Sequence, residues 1–226
     1  MKYYLLQKAI YRRDIGKHSL QTEEVFDIGS ESTFGWLDIL QKLPNYHGKL
    51  NNDAFPDFEP RIKFKLKEGA KLTDSLNYPS MNAKGLLISS KFKTLLQQFN
   101  LMEHMFYPAQ IYVDNFQIEY FWFHQKENYF EWIDFEKTEV YFTDGENPPI
   151  KVKNYKEYLN NFHKKGGFDM FNITLNSEFP KLDFFYLSYV NYGSSFFISE
   201  TLMQALKKEK ITGIEIKEQD ILYVEE

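Results

Sequence analysis

The sequence contains no cysteine. That excludes a disulfide framework, a thiolate zinc site and a cysteine nucleophile, and it fits a reducing compartment. There is no excess of positive charge: 27 Lys and Arg stand against 32 Asp and Glu, for a net charge of −5. The cations are scattered, which argues against nucleic acid as a partner. No apolar run approaches the ~20 residues needed to cross a bilayer. The opening Met1-Lys2-Tyr3-Tyr4-Leu5-Leu6-Gln7 lacks the apolar core and small-residue cleavage site of a secretion signal. We therefore expect a cytoplasmic protein without a membrane partner.

Catalytic and cofactor motifs are also missing. Neither a G-x-x-x-x-G-K-[ST] loop nor a G-x-G-x-x-G turn occurs, so no nucleotide site is expected. A G-x-S-x-G elbow is absent, and Gly193-Ser194-Ser195 reads as a turn on the preferences of Gly and Ser alone. The histidines are His18, His47, His104, His124 and His163. No two share the i, i+4 spacing of a helical metal pair, and there is no H-E-x-x-H. No metal and no cofactor are expected.

Aromatic residues, by contrast, are plentiful: 22 Phe, 16 Tyr and 3 Trp make up 18% of the chain. Each covers a large area, so most are expected to build the core. The remainder suit a protein-binding face, where Tyr and Trp are enriched.

One pattern organises the chain. Phe196 to Ile198 is an apolar run; Ser199 follows; Leu202, Ala205 and Leu206 recur at helical spacing; Lys207, Lys208 and Lys210 mark a helix end; Gly213 turns into Ile214 and Ile216. The segment Gly85 to Phe106 aligns with it without gaps at an offset of 110 residues: Ile88 with Ile198, Ser89 with Ser199, Phe92 with Leu202, Leu96 with Leu206. The match breaks where Glu103 stands against Gly213. Either an internal duplication or the general form of a strand-helix-strand unit explains the likeness.

Elsewhere, Tyr3 to Leu6 reads as a strand, and Arg12 to Ser32 is polar without a period. Phe34 to Leu43 predicts a short helix ended by Pro44, and Asn45 to Pro60 is rich in turn residues. Ile62, Phe64 and Leu66 alternate with Lys63, Lys65 and Lys67, which predicts an edge strand guarded by lysine. Gln110 to Val113 and Phe116 to His124 flank Asp114-Asn115, a hairpin turn pair. Asn154 and Glu157 have capping-box spacing. Phe171, Ile173 and Leu175 alternate as a strand; Phe184 to Val190 and Ile221 to Val224 are two more. The fold class is α+β: mostly antiparallel sheet, three or four helices and two similar strand-Ser-helix-strand units. We read residues 1–226 as one domain, with 1–80 the best candidate for a smaller N-terminal subdomain.

Carboxylates are the remaining candidates for chemistry. Glu127, Glu131, Asp134, Glu136 and Glu139 cluster around Tyr129, Trp132 and Tyr141. Such a face suits a basic protein partner, through steering and aromatic anchors. A carbohydrate-active or modification-reversing hydrolase, using two of the carboxylates, is the alternative.

Four segments together carry a family resemblance: Tyr3-Tyr4-Leu5-Leu6; Leu87-Ile88-Ser89 with its helix; Ile133-Asp134-Phe135-Glu136-Lys137-Thr138-Glu139; and Phe197-Ile198-Ser199-Glu200 through Ile211-Thr212-Gly213-Ile214. Their order and spacing resemble immunity-protein family eleven of bacterial polymorphic toxin systems, or a closely related immunity family. The likeness covers mainly 85–216, and Leu101 to Phe106 departs from the Thr-Gly ending. The resemblance implies a non-enzymatic protein that binds a cognate toxin and neutralises it stoichiometrically. It brings no catalytic residues. The expected contact residues are Glu127, Tyr129, Glu131, Asp134 and Glu136. For Asp134 a purely structural role, capping a turn at 134–139, is the competing expectation.

Overall fold

Two strand-Ser-helix segments set the frame. In the computed structural model, which describes residues 1–24, 55, 62–78, 85–126, 130–142, 150–158, 160, 168–190 and 193–225, both take the same form. Strand β5 (Leu86–Ser89) runs into the helix Ser90–Leu96, and strand β12 (Gly193–Ser199) runs into the helix Glu200–Lys208. Each helix is followed by a strand, β6 (His104–Val113) and β13 (Ile214–Glu218), which begin 110 residues apart, the offset of the sequence match.

The junctions agree atom by atom. The Ser89 hydroxyl accepts from the Phe92 N–H at 3.2 Å and donates to Asp74 Oδ1 at 2.8 Å. The Ser199 hydroxyl accepts from the Leu202 N–H at 3.1 Å and donates to Asp183 Oδ1 at 2.6 Å. Both serine N–H groups bond the main-chain carbonyl of the same aspartate. Each aspartate immediately precedes a strand, β4 (Ser75–Leu76) or β11 (Phe184–Val190), that pairs antiparallel with the strand bearing the serine. An N-cap serine satisfies a helix N–H that would otherwise lack a partner. Here the cap is itself held by a carboxylate from the neighbouring strand.

The chain divides into two compact units. One holds Met1–Leu6, Glu127–Met203 and Ile216–Glu226; the other holds Gln7–Lys126 and Gln204–Glu215. Residue 80, the boundary suggested by the turn-rich N-terminal sequence, falls inside the second of these.

The Gln7–Lys126 unit is built on a six-stranded sheet in the order β2-β3-β6-β7-β5-β4, with β2 at Thr22–Glu24, β3 at Ile62–Leu66 and β7 at Phe116–Gln125. Its backbone is the hairpin β6–β7, two strands of ten residues each, which turns at Asp114-Asn115 as expected, with Asp114 at φ 51°. One face of the sheet carries Phe64, Tyr107, Ile111, Tyr120 and Trp122 in a single buried cluster. Phe92 and Leu96 of the helix are fully buried as well. Burying one such side chain contributes roughly 1.5–3 kcal/mol, so a few of them offset much of the ordering cost. Strand β3 departs from expectation. It lies inside the sheet, between β2 and a parallel β6. The lysines face outward, but the edge belongs to β2, which the aperiodic 12–32 stretch does not advertise.

The other unit has an aromatic core. Tyr3 and Phe197 are buried, as are Phe184 and Phe185. The Phe185 ring meets Tyr3 edge-on at 5.2 Å and stacks on Phe197 at 5.4 Å. The Tyr3 hydroxyl donates to the Leu182 carbonyl at 3.0 Å, and burial, with the Asp183 charge, holds its pKa above the usual tyrosine range. The strand expected from Phe171 to Leu175 is two strands: β9 (Phe168–Phe171) and β10 (Ile173–Leu175) break at Asn172, which sits at φ 47°. Strand β9 pairs with β8 (Glu139–Phe142), while β10 pairs in parallel with β14 (Leu222–Val224). The Asn154 cap forms: its Oδ1 accepts the Glu157 N–H at 3.0 Å, and Glu157 answers by accepting the Lys153 N–H at 2.9 Å. The predicted helix at Phe34 to Leu43 and the Asn45 to Pro60 turns lie outside the described residues, apart from Phe55.

Candidate partner-binding surface

Residues 130–139 form a strap with alternating orientation. A 3-10 turn, Phe130–Trp132, starts it. Phe130, Ile133 and Phe135 point inward and are buried, while Glu131 and Glu136 are exposed. Phe130 stacks on Tyr155 at 4.0 Å, and Phe135 lies 5.9 Å from the Tyr158 ring. Trp132 is half-buried with its ring edge-on to Phe179.

Asp134 fixes the turn that follows. Its Oδ1 accepts the N–H groups of Glu136 at 3.0 Å and Lys137 at 3.3 Å, and its carbonyl accepts the Thr138 N–H at 2.9 Å. The Lys137 ammonium lies 3.0 Å from Oδ2 and also bonds Glu225. Burial pulls the Asp134 pKa up, but the Lys137 ammonium and the two N–H donors outweigh it, and the carboxyl stays below its ordinary range. The Lys137 ammonium, facing the Glu225 and Asp134 carboxylates, is pushed up to about 12. The strap is sewn to β10 on the other side: the Asp134 N–H donates to the Thr174 carbonyl at 2.8 Å, and the Thr174 N–H to the Thr138 hydroxyl at 3.1 Å. Asn176 holds the front end, bonding the Glu131 and Trp132 carbonyls.

Asp134 therefore has the structural role weighed for it, and its oxygens are committed to the turn. Glu131 and Glu136 are the exposed carboxylates of the strap. Glu127 and Tyr129 lie outside the described residues. Glu139 faces elsewhere, accepting from the Tyr141 hydroxyl at 3.1 Å and the Asn172 amide at 3.0 Å. His124 is buried and stacks on Trp122 at 4.6 Å. Sequence reading missed Glu225, Thr174 and Asn176, which hold the strap from distant positions that no local spacing marks.

The Thr-Gly ending of the resemblance has a structural explanation in the Gln7–Lys126 unit. Thr212 donates to Asp74 Oδ2 through its N–H at 3.0 Å and its hydroxyl at 2.9 Å. Gly213 sits at φ +81° with Ser75 so close that a Cβ would lie 2.0 Å from the Ser75 carbonyl oxygen. Only glycine fits.

Among the described residues no group of three or more His, Asp or Glu is placed to hold a metal ion. No described helix is long and apolar enough to cross a membrane. No protein-family model matches the chain, and no curated protein matches it.

Proposed function

We propose that this chain is a cytoplasmic immunity protein that binds a cognate toxin and blocks it by occupying its surface, without turnover. The reading rests on the resemblance of 85–216 and the flanking segments to an immunity family. The observation that supports it best is the strap: its inward aromatics and the Asp134 turn brace a segment in which Glu131 and Glu136 are exposed and Trp132 is half-buried. A rigid surface of this kind loses little entropy on association. Two exposed carboxylates beside an aromatic suit a basic partner by steering and anchoring.

The test is co-expression with the protein encoded beside this chain's gene. The neighbour is expected to arrest growth alone and to be harmless when this chain is present. The Glu131→Lys, Glu136→Lys double variant is expected to bind it about tenfold more weakly or worse, roughly 1.4 kcal/mol. A harmless neighbour would sink the immunity reading. Undiminished affinity in the double variant would remove the strap as the contact surface.

A further inference from the structure

A second surface stands apart from the strap, within the Gln7–Lys126 unit. Ile10, Tyr11, Leu20 and Leu72 are large apolar side chains left 63%, 51%, 42% and 43% exposed. They come from three separate stretches of chain that two buried polar residues tie together. The Asn77 amide donates to the Ala9 carbonyl at 2.7 Å and to the Ser19 carbonyl at 3.0 Å, which ties together the residues that immediately precede Ile10 and Leu20. The Gln21 amide donates to the Lys71 carbonyl at 2.6 Å and to the Thr73 hydroxyl at 3.0 Å, which ties the chain on both sides of Leu72 to the residue that follows Leu20. Gln21 and Asn77 are themselves almost fully buried. Their bonds fix the backbone under the exposed side chains. Exposed apolar residues are ordinary when scattered, but a group assembled on a braced backbone marks a contact surface.

The border of this group is cationic. The short helix Arg12–Ile15 contributes Arg12 and Arg13, and Lys17 and Lys71 stand beside it. The Lys71 N–H donates to the Ile15 carbonyl at 2.9 Å and the Lys17 N–H to the Gly69 carbonyl at 2.8 Å. The Lys71 ammonium bonds the Arg13 carbonyl and meets no carboxylate among the described residues. Arg13 pairs with Asp14 at 3.3 Å and lies over the Tyr11 ring at 5.6 Å. Among the described residues Arg12 and Lys17 form no ion pair. Asp14 and Glu68 are the neighbouring acids. In a chain of net charge −5, a local surplus of cations around apolar side chains selects its partner by charge.

We propose that Ile10, Tyr11, Leu20 and Leu72, bordered by Arg12, Arg13, Lys17 and Lys71, form a docking surface for an acidic amphipathic segment of a partner protein. The apolar side chains take the partner's apolar anchors, and the arginines and lysines take its carboxylates. Arginine beside tyrosine is the composition of binding hot spots. Three of the four apolar residues are aliphatic, which suits a protein segment better than nucleobases, since bases stack on aromatic faces. The surface uses none of the strap residues, so the proposal stands independently of the immunity reading.

The experiment is NMR titration of the isotope-labelled full chain with three synthetic probes. One peptide alternates Glu with Leu and Phe; a second has Lys in place of every Glu; a third has Ser in place of every Leu and Phe. The expected result is saturable shifts at Ile10, Tyr11, Leu20 and Leu72 with the first peptide alone. They should weaken with added salt and fall by about tenfold or more in affinity in Arg12→Glu, Arg13→Glu. Tyr11→Ser, Leu72→Ser is a second variant that should lose binding while keeping the remaining spectrum. No saturable shift, equal binding of the Ser-substituted peptide, or tighter binding of a single-stranded RNA at the same residues would each overturn the proposal. So would self-association of the free chain through these residues.

Discussion

Ser199 donates its hydroxyl to Asp183 while accepting the Leu202 N–H, and Ser89 does the same between Asp74 and the Phe92 N–H. Two junctions with one offset and one hydrogen-bond pattern favour duplication over a generic strand-helix-strand likeness. The pattern also says what each serine contributes. Ser199→Ala removes the helix cap and one donor to Asp183, and should cost about 1–2 kcal/mol in urea unfolding. Ser89→Ala should cost a similar amount. A loss below a few tenths of a kcal/mol at both sites would show that the relay is incidental.

Gly213 and Gly69 provide a controlled pair. Both have positive φ, +81° and +78°. At Gly69 a Cβ would meet only the flexible Lys17 side chain, at 3.3 Å, whereas at Gly213 it would meet the Ser75 carbonyl at 2.0 Å. Gly69→Ala should therefore cost roughly 1–2 kcal/mol, the backbone strain alone. Gly213→Ala should cost clearly more, on the order of 3 kcal/mol, because main chain must move as well. Equal midpoints in denaturant would contradict the close approach at Ser75.

Asp134 should link stability to acid. Its folded pKa is depressed, so the stability it contributes is present above the unfolded carboxyl value, about 3.9, and is lost as pH falls through the lower folded value. Asp134→Asn should melt lower than the wild type at neutral pH, by about 1 kcal/mol, and the two should converge in acid. Melting curves across that range check it; a constant gap down to the lowest pH would refute the assignment.

Lys8 behaves in the opposite sense. Its ammonium lies over the Tyr78 ring at 4.2 Å, and burial pulls its pKa down from 10.5 to about 8. Between those values the unfolded chain holds more protons than the folded one, so this group makes stability rise with pH, and below about 8 its penalty is constant. Lys8→Met should stabilise the protein at neutral pH by about 1 kcal/mol or more and flatten that alkaline rise. An NMR titration placing the Lys8 ammonium at its ordinary value would remove the basis for this expectation.

The parts of this fold that were legible are those written locally. A serine before an apolar helical stripe, a turn pair between alternating strands and Asn154 three residues before Glu157 each state their geometry within a few residues. The aspartates that clamp the two serines lie 15 and 16 residues upstream, with no spacing to mark them. Strand β2 is three residues long, too short to alternate, and so β3 read as an edge. Asn172 breaks a strand whose apolar alternation continues on both sides. At the strap, the Asp134 turn could be read from its neighbours, but the Lys137 link to Glu225 spans 88 residues. The apolar surface at Ile10 and Tyr11 was hidden because its members are dispersed among polar residues.

The hydrogen bonds between Asp74 and Thr212 join positions 138 residues apart. Each compact unit takes part of its chain from beyond residue 203. During synthesis, therefore, neither unit has all its pieces until residues beyond 203 have left the ribosome. The central hairpin and the Ser89–Asp74 junction can form early, yet the Asp74 and Ser75 N–H groups, which donate to the Thr212 hydroxyl and carbonyl at 3.0 Å each, lack these acceptors until Thr212 arrives. Arrested ribosomes carrying the chain cut short of Thr212 should leave Asp74 and Ser75 accessible to hydrogen exchange, and release of the full length should close them together.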